Sequence, residues 1–300
     1  CADPFPLPGM AFKTSVSVGV CVFPVQGKTS EEVLRHADAA MYDAKHQGPG
    51  HYRLFSMDLE QGATEAFSLE ADLRQALQNG ELFMMYQPRV ALPSRRLSGF
   101  EALLRWRHPT RGLVPPDVFI PLAENTGQID EIGLWVFGAV CRQVARWHAE
   151  GLEVGLVAFN LSQRQLGDPH LVSRLAEILA ETGVRPDSLE CEVTESAIIL
   201  QTDVAFRNLH AIAGLGIPLA IDDFGTGHSS LINLKRYPLS RIKIDRAFIN
   251  DVGKDPNDEA IIHATLAMAS SMGMAVTAEG IETLAQEAFL VALGCGEGQG

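Results

Sequence analysis

The sequence predicts an α/β fold: a strand–helix repeat closed into a (β/α)8 barrel, preceded by a partial α+β piece. Three observations carry this expectation. Beyond residue 80, short apolar runs alternate with stretches of helical periodicity to the end of the chain, and repeated strand–helix units argue for a parallel sheet. So many units in one domain of roughly 230 residues favour closure into a barrel. The apolar runs also end repeatedly in polar side chains, as barrel strands do at the face that carries chemistry. The third observation is Leu219-Ala-Ile-Asp222-Asp223-Phe-Gly-Thr-Gly227, three apolar residues leading into two adjacent carboxylates and a glycine-rich turn. A short apolar run bounded by turn signals reads as a buried strand. Neighbours on a strand point to opposite faces, so Asp222 and Asp223 can share a ligand only where the pleat gives way to the loop. Gly225 and Gly227 supply that irregularity. An Asx-rich turn capping the next helix is the simpler reading of the same residues.

A chain of 300 residues can hold one large domain plus part of another. Its 46% hydrophobic and 20% charged content is that of a globular protein. The net charge of -13 argues against a general nucleic-acid binder, which needs clustered Lys and Arg. It leaves room for a small phosphate ligand held through metal ions. Cys1, Cys21, Cys141, Cys191 and Cys295 are scattered and form no Cys-x-x-Cys pair, which favours a reducing, cytoplasmic setting and argues against zinc. No apolar run reaches the length of a membrane span. A full-length protein anchored in a membrane, with this part in the cytoplasm, fits equally well.

Taken in order, residues 13–23 alternate small polar and apolar side chains, as a half-buried strand does. Thr29-Ser-Glu-Glu32 is a helix start, and Val33, Leu34, Ala37, Ala40, Met41 and Ala44 continue at helical spacing to a stop at Gly48-Pro49-Gly50. A short strand follows at 51–55. This piece has too little core to fold alone. Residues 56–66 read as a junction, and 66–77 as an amphipathic helix ending near Asn79-Gly80. Strands are then expected at 82–87, 98–105, 154–160, 189–194, 218–222, 241–244 and 274–278. Helices are expected at 129–150, 170–182, 203–215, 257–272 and 284–293.

The ends of those strands carry Glu101, Asn160, Glu192, Asp222 with Asp223, Lys243 and Glu279. In a barrel they converge on one face. Carboxylates gathered there need cations, and oxygen-only ligands favour Mg²⁺ or Mn²⁺ over zinc. Two such ions about 3.5–4 Å apart are the usual device for cleaving a phosphodiester. Taken singly, each residue could instead be a cap or a salt bridge. Lys243, for one, has Asp245 two residues away on the same face.

Two resemblances follow from particular residues. Ser15-Val-Ser-Val-Gly19 with Ala37-Asp38-Ala39-Ala40-Met41-Tyr42-Asp43-Ala44-Lys45 resembles the C-terminal end of a GGDEF (diguanylate cyclase) domain. The family's nucleotide-handling motif would lie upstream, so residues 1–60 are expected to be a fragment without activity. From about Leu69 to Gly300 the chain resembles the EAL family of cyclic di-GMP phosphodiesterases. The match lies in Tyr86-Gln-Pro88, Glu101-Ala-Leu103, Arg105-Trp106, His108-Pro109, Phe119-Ile-Pro-Leu-Ala-Glu124, Asn160-Leu-Ser162 and Glu192-Val-Thr-Glu195. It continues in Asp222-Asp-Phe-Gly-Thr-Gly227, Lys243-Ile-Asp245, Ala278-Glu-Gly280, and Gly294-Cys295 with Gln299-Gly300.

The resemblance implies a modified TIM-type barrel over 61–300 with one antiparallel strand, hydrolysing cyclic di-GMP to linear pGpG in bacterial second-messenger signalling. It implies that Glu101, Asn160, Glu192 and Asp222 hold one Mg²⁺ or Mn²⁺, and that Asp222 bridges to a second with Asp223 beside it. Lys243 and Glu279, with Glu101, would serve catalysis by positioning or deprotonating the attacking water. Gln87, Arg105 and Gln299 would contact substrate, and Glu195 would hold the loop after Asp223. His228 stands where the family usually has Tyr. The family's final strand and closing helix would follow Gly300, so the chain is expected to be cut short at both ends. The resemblance alone allows a homodimer, and upstream sensor or cyclase domains in the full-length protein. Two other readings compete with the enzyme. One is a catalytically silent receptor for cyclic di-GMP, which usually lacks ligands that this chain retains. The other is a two-metal nuclease for longer nucleic acids, which the acidic charge disfavours.

Overall fold

The computed structural model describes residues 5–7, 10–12, 15–46, 50–199, 202–225 and 234–300. The chain divides into two compact units, Cys1–Gln75 and Ala76–Gly300. In the first, β1 (Phe5–Leu7) pairs antiparallel with β2 (Met10–Phe12). β3 (Val18–Val20) and β4 (Tyr52–Leu54) pair in parallel, joined through α1 (Ser30–His46). A reciprocal cap starts α1: Glu32 accepts from the backbone N–H groups of Lys28 and Thr29, and Thr29 Oγ1 accepts from that of Glu32. A Cβ on Gly19 would stand 1.9 Å from the Ala37 carbonyl oxygen and 2.2 Å from the Met41 nitrogen. Only a residue without a side chain lets α1 rest directly on β3.

Two expectations for this unit change. The strand expected over 13–23 is confined to Val18–Val20, because β4 offers partners only at Tyr52–Leu54 and residues 23–25 turn. The helix expected from Ala66 is α2 (Met57–Ala76), which begins well before it. Gly62 interrupts the apolar pattern of its first turns and hides them in the sequence.

The second unit opens with β5 (Leu82–Ala91) and β6 (Arg96–His108), paired antiparallel, and β7 (Gly112–Val114), which pairs with the end of β6. After α3 (Pro116–Thr126) and α4 (Ile129–Ala149) comes the strand–helix repeat. It runs β8 (Leu156–Asn160), α5 (Gln163–Leu166), α6 (Leu171–Thr182), β9 (Leu189–Thr194), α7 (Glu195–Ile199) and α8 (Asp203–Gly214). It continues with β10 (Leu219–Phe224), β11 (Leu239–Ile244), α9 (Arg246–Asn250), α10 (Pro256–Met272), β12 (Ala275–Glu279), α11 (Leu284–Ala292) and β13 (Glu297–Gln299). The ring β5-β6-β8-β9-β10-β11-β12-β13 closes on itself through the β13–β5 pair. β5 is antiparallel to both neighbours, and every other adjacent pair in the ring is parallel. This is a TIM-type barrel with one antiparallel strand.

The strand expected beyond Gly300 is therefore already present: Glu297–Gln299 completes the ring. It escapes sequence reading because it is three residues of Glu, Gly and Gln with no apolar run. The helix α3 also gives no clean periodicity. Pro116 takes its first position, where no N–H is needed, and left-handed Gly127 ends it. Residues Leu189 to Val193 of β9 are all buried, as a strand covered on both faces requires. Around the ring, Phe159 of β8 meets Phe137 of α4 edge-on at 4.8 Å, and Trp106 of β6 meets Phe119 of α3 at 5.7 Å. No helix among the described residues is long and apolar enough to cross a membrane.

Candidate active site at the C-terminal ends of the strands

The parallel register carries the polar strand ends to one level. Asn160 of β8 lies beside Glu192 of β9, and Glu279 of β12 beside Gln299 of β13. At the centre is Lys243 of β11, whose side chain is fully buried. Its Nζ lies 2.7 Å from Glu279 Oε1, 2.8 Å from Glu192 Oε2, 3.1 Å from Asp222 Oδ1 and 3.3 Å from Glu101 Oε2. Gln299 donates to Glu101 at 2.6 Å and to Glu279 at 3.3 Å, and Asn160 donates to Glu101 at 3.2 Å. Lys243 thus stands in the carboxylate cluster, and the alternative salt bridge to Asp245 does not form. Asp245 instead caps α9, accepting from the Ala247 N–H at 2.7 Å.

The break in the pleat sits two residues before the first of the glycines. Asp223 itself is left-handed, with φ 54, and the pairing of β10 with β11 shifts register between Ile221 and Phe224. An L residue there stores strain of order 1–3 kcal/mol. The result is that Asp222, Asp223 and Glu279 share one group of ligand atoms, and Glu101, Glu192 and Asp222 another, each within 4.8 Å. Glu195, buried at the start of α7, accepts from the Gly225 N–H at 2.9 Å and so tethers the segment after Asp223. Gly227 and His228 lie outside the described residues.

Of the remaining candidates, Gln87 stands opposite Glu101 in the β5–β6 pair and is half-buried. Arg105, also half-buried, lines a cleft of about 680 Å³ at the barrel mouth together with Asn160, Asp222, Asp223 and Arg246.

One ammonium cannot neutralise Glu101, Glu192, Asp222, Asp223 and Glu279 together. Burial pulls Lys243 down, but Glu192, Asp222, Glu101 and Glu279 outweigh it and hold the ammonium well above its ordinary value. Burial would also raise Glu101, yet Lys243 and the hydrogen bonds from Gln299 and Asn160 leave it below the usual range. Elsewhere burial wins. Glu192 is pushed well above the carboxylate range, with Glu101 and Asp222 adding to the effect. Glu279 is pushed up to about 7 by burial, against Lys243, and Asp223 to about 6 by burial together with Asp222 and Asp245. Glu192 Oε1 is buried with no hydrogen-bond partner. An all-oxygen pocket in which five carboxyl groups face a single ammonium fits hard divalent cations.

Beneath this layer is a second one that sequence reading missed. Arg89 of β5 is fully buried. It donates to Glu190 of β9 and lies 3.6 Å from Glu192 and 3.7 Å from Glu297. Arg241 of β11 meets Glu190 at 2.8 Å and Glu297 at 2.9 Å, and Thr277 donates to Glu297 at 2.7 Å. Each member stands two residues from a mouth residue on its own strand: Glu190 before Glu192, Arg241 before Lys243, Thr277 before Glu279, Glu297 before Gln299. On antiparallel β5, Arg89 comes after Gln87. That period of two was the available signal.

A barrel whose strands but one run parallel, with an acidic, cation-fitting cluster at the ends of β8 to β12 and at Glu101 inside the longer β6, defines a class, the TIM-type barrel with its chemistry on that face. Within that class, the chain belongs to the EAL domain family, whose model matches residues 70–300. A second model, for the diguanylate cyclase GGDEF domain, matches residues 1–51. The chain is 42% identical over 299 residues to the bifunctional diguanylate cyclase/cyclic di-GMP phosphodiesterase MucR of Pseudomonas aeruginosa, covering 100% of this chain and 44% of that protein. It is 38% identical over 297 residues to the cyclic di-GMP phosphodiesterase PdeR of Escherichia coli, covering 99% of this chain and 45% of PdeR. It thus spans less than half the length of either relative. Among solved structures, the PaMucR phosphodiesterase in complex with cyclic di-GMP superposes with a TM-score of 0.75 at 44% identity, over 78% of this chain and 94% of that one.

Proposed function

We propose that the barrel hydrolyses cyclic di-GMP to linear pGpG with two divalent cations, Mg²⁺ or Mn²⁺. The observation that carries this is the gathering of Glu101, Glu192, Asp222 and Glu279 around Lys243 at the mouth of the cleft. Glu101, Asn160, Glu192 and Asp222 would hold one ion, and Asp222 with Asp223 the other. Bound there, the cations supply charge neutralisation and a lowered pKa for the attacking water.

The chain's own groups do the rest. Glu279, whose carboxyl burial pushes upward in the metal-free site, would accept a proton from that water. Lys243 hydrogen-bonds the water and opposes the negative charge that develops at phosphorus. Glu101 serves both as ligand and as the acceptor that fixes Gln299 and Asn160. Arg105 takes a phosphate oxygen, for which its fork of donors is suited, and Gln87 and Gln299 contact the substrate at the edge of the site. Glu195 keeps the segment after Asp223 in place.

Residues 1–60 belong to a GGDEF-type domain, and 61–300 form the phosphodiesterase barrel. Upstream sensor or cyclase domains would belong to the full-length protein, with this part in the cytoplasm whether or not the whole is anchored in a membrane, and the family resemblance allows a homodimer. The longer relatives support the first of these.

Turnover of cyclic di-GMP, followed by chromatography in Mg²⁺, in Mn²⁺ and in EDTA, tests the reading. Linear pGpG with either metal and none in EDTA is the expected result. Tight binding without product would replace the enzyme by a silent receptor. Preferential cleavage of single-stranded oligonucleotides would replace it by a nuclease.

A further inference from the structure

Two arginines line the cleft at the barrel mouth, and the reaction above uses one. The other is Arg246, the exposed first residue of α9, immediately after Lys243-Ile-Asp245. Its neighbour Asp245 is committed elsewhere, to the Ala247 N–H and to Asp223. Among the described residues Arg246 has no hydrogen-bond or ion-pair partner, although Asp117, Glu124, Asp222 and Asp223 line the same cleft. A guanidinium left free in acidic surroundings is available to an anionic ligand.

Its position is also built in. A Cβ on Gly280 would stand 2.7 Å from Arg246 Cβ, and Gly280 is left-handed with φ +71. Gly280 follows Glu279, so a bare glycine lets the backbone at Glu279 close against the backbone that carries Arg246. The backbone that carries Glu279 and the backbone that carries Arg246 are thereby held in contact.

We propose that Arg246 is a specificity-determining residue: it holds the second phosphodiester of a cyclic dinucleotide while the first reacts at the carboxylate cluster. This rests on the phosphodiesterase reading above. A substrate with two phosphodiesters matches a cleft that offers one acidic, cation-fitting centre and a separate unpaired cation. The planar fork of Arg suits bidentate capture of phosphate oxygens. An anchor that grips a part of the substrate that does not change in the reaction contributes equally to ground and transition states, so it lowers KM and leaves kcat alone.

The test uses the full chain with Arg246→Met and Arg246→Lys. Two substrates are compared: cyclic di-GMP, and bis(p-nitrophenyl) phosphate, which has a single phosphodiester. Arg246→Met should raise KM for cyclic di-GMP on the order of tenfold while kcat stays within about threefold. Its kcat/KM on the single diester and its melting temperature should match the wild type, and Arg246→Lys should recover part of the lost affinity. An unchanged KM for cyclic di-GMP overturns the inference while leaving the enzyme reading intact. So does an equal loss on both substrates. If the wild type cleaves the single diester but never cyclic di-GMP, the substrate reading falls and this inference with it.

Discussion

Lys243 is a buried ammonium within 3.3 Å of four separate carboxylates. In the sequence it is one Lys on a short apolar strand two residues from Asp245, and its surroundings depend on where four other strands bring Glu101, Glu192, Asp222 and Glu279. Lys243→Met keeps most of the stem and removes the charge. Hydrolysis of cyclic di-GMP in Mg²⁺ should fall on the order of 10²-fold or more. Breaking a buried pair leaves uncompensated charge at a cost of about 3–5 kcal/mol. In EDTA the variant should therefore melt roughly 10 °C below the wild type, and Mg²⁺, taking over part of the neutralisation, should narrow that gap. Near-normal turnover would make Lys243 a bystander, and an equal gap with and without Mg²⁺ would detach it from the cation site.

Among the elements, β10 and β5 do the positioning. β10 delivers Asp222 and Asp223 side by side because Asp223 is left-handed, and the tether from Glu195 on α7 to the Gly225 N–H holds the end of the strand in place. Glu195→Ala should loosen that segment and weaken metal occupancy, so turnover should drop at low Mg²⁺ and recover in part when Mg²⁺ is raised. A loss that no Mg²⁺ concentration relieves would exclude a purely positioning role. β5 delivers Arg89 to the lower layer, where burial pulls the guanidinium down but Glu190, Glu192 and Glu297 more than compensate. Arg89→Met strands those carboxylates inside the barrel, a loss of about 3–5 kcal/mol that calorimetry should register as a melting temperature lower by roughly 10 °C. The paired change Arg89→Met with Glu190→Leu should recover part of that loss. A single variant as stable as the wild type would mean that the lower layer does not support the barrel.

For the whole molecule the decisive property is the imbalance of charge at the barrel mouth. Glu279 has a folded pKa of about 7 against an ordinary 4.5, and Asp223 about 6 against 3.8. A carboxylate raised on folding contributes stability that is full below its unfolded pKa and is lost as pH rises through its folded one. Metal-free protein should therefore lose stability between pH 4.5 and about 7 on account of Glu279. Cations compete with those protons, so the rise in melting temperature caused by Mg²⁺ should be small near pH 5 and grow through pH 8. A constant increment across that range, measured by scanning calorimetry, would separate these carboxylates from the cations.

The barrel's existence and its site residues could be read early for a local reason: a buried parallel strand must be apolar, so a carboxylate at its end stands out against Val-Ala-Phe or Leu-Ala-Ile. By itself the sequence determined the strand–helix alternation, the strand β9 to the residue, and Glu101, Asn160, Glu192, Asp222 and Glu279 as candidates. Only the tertiary structure decided that β13 closes the ring, that Asp223 turns left-handed, that Arg89 lies beneath the site and that Arg246 lines the cleft without an ion-pair partner among the described residues. β13 is a strand because β12 and β5 flank it, not because of its own residues. The ion layers exist because residues 101 positions apart, such as Arg89 and Glu190, meet across the barrel. Pairing across a closed ring is a property of register and closure, and no local window of sequence contains it.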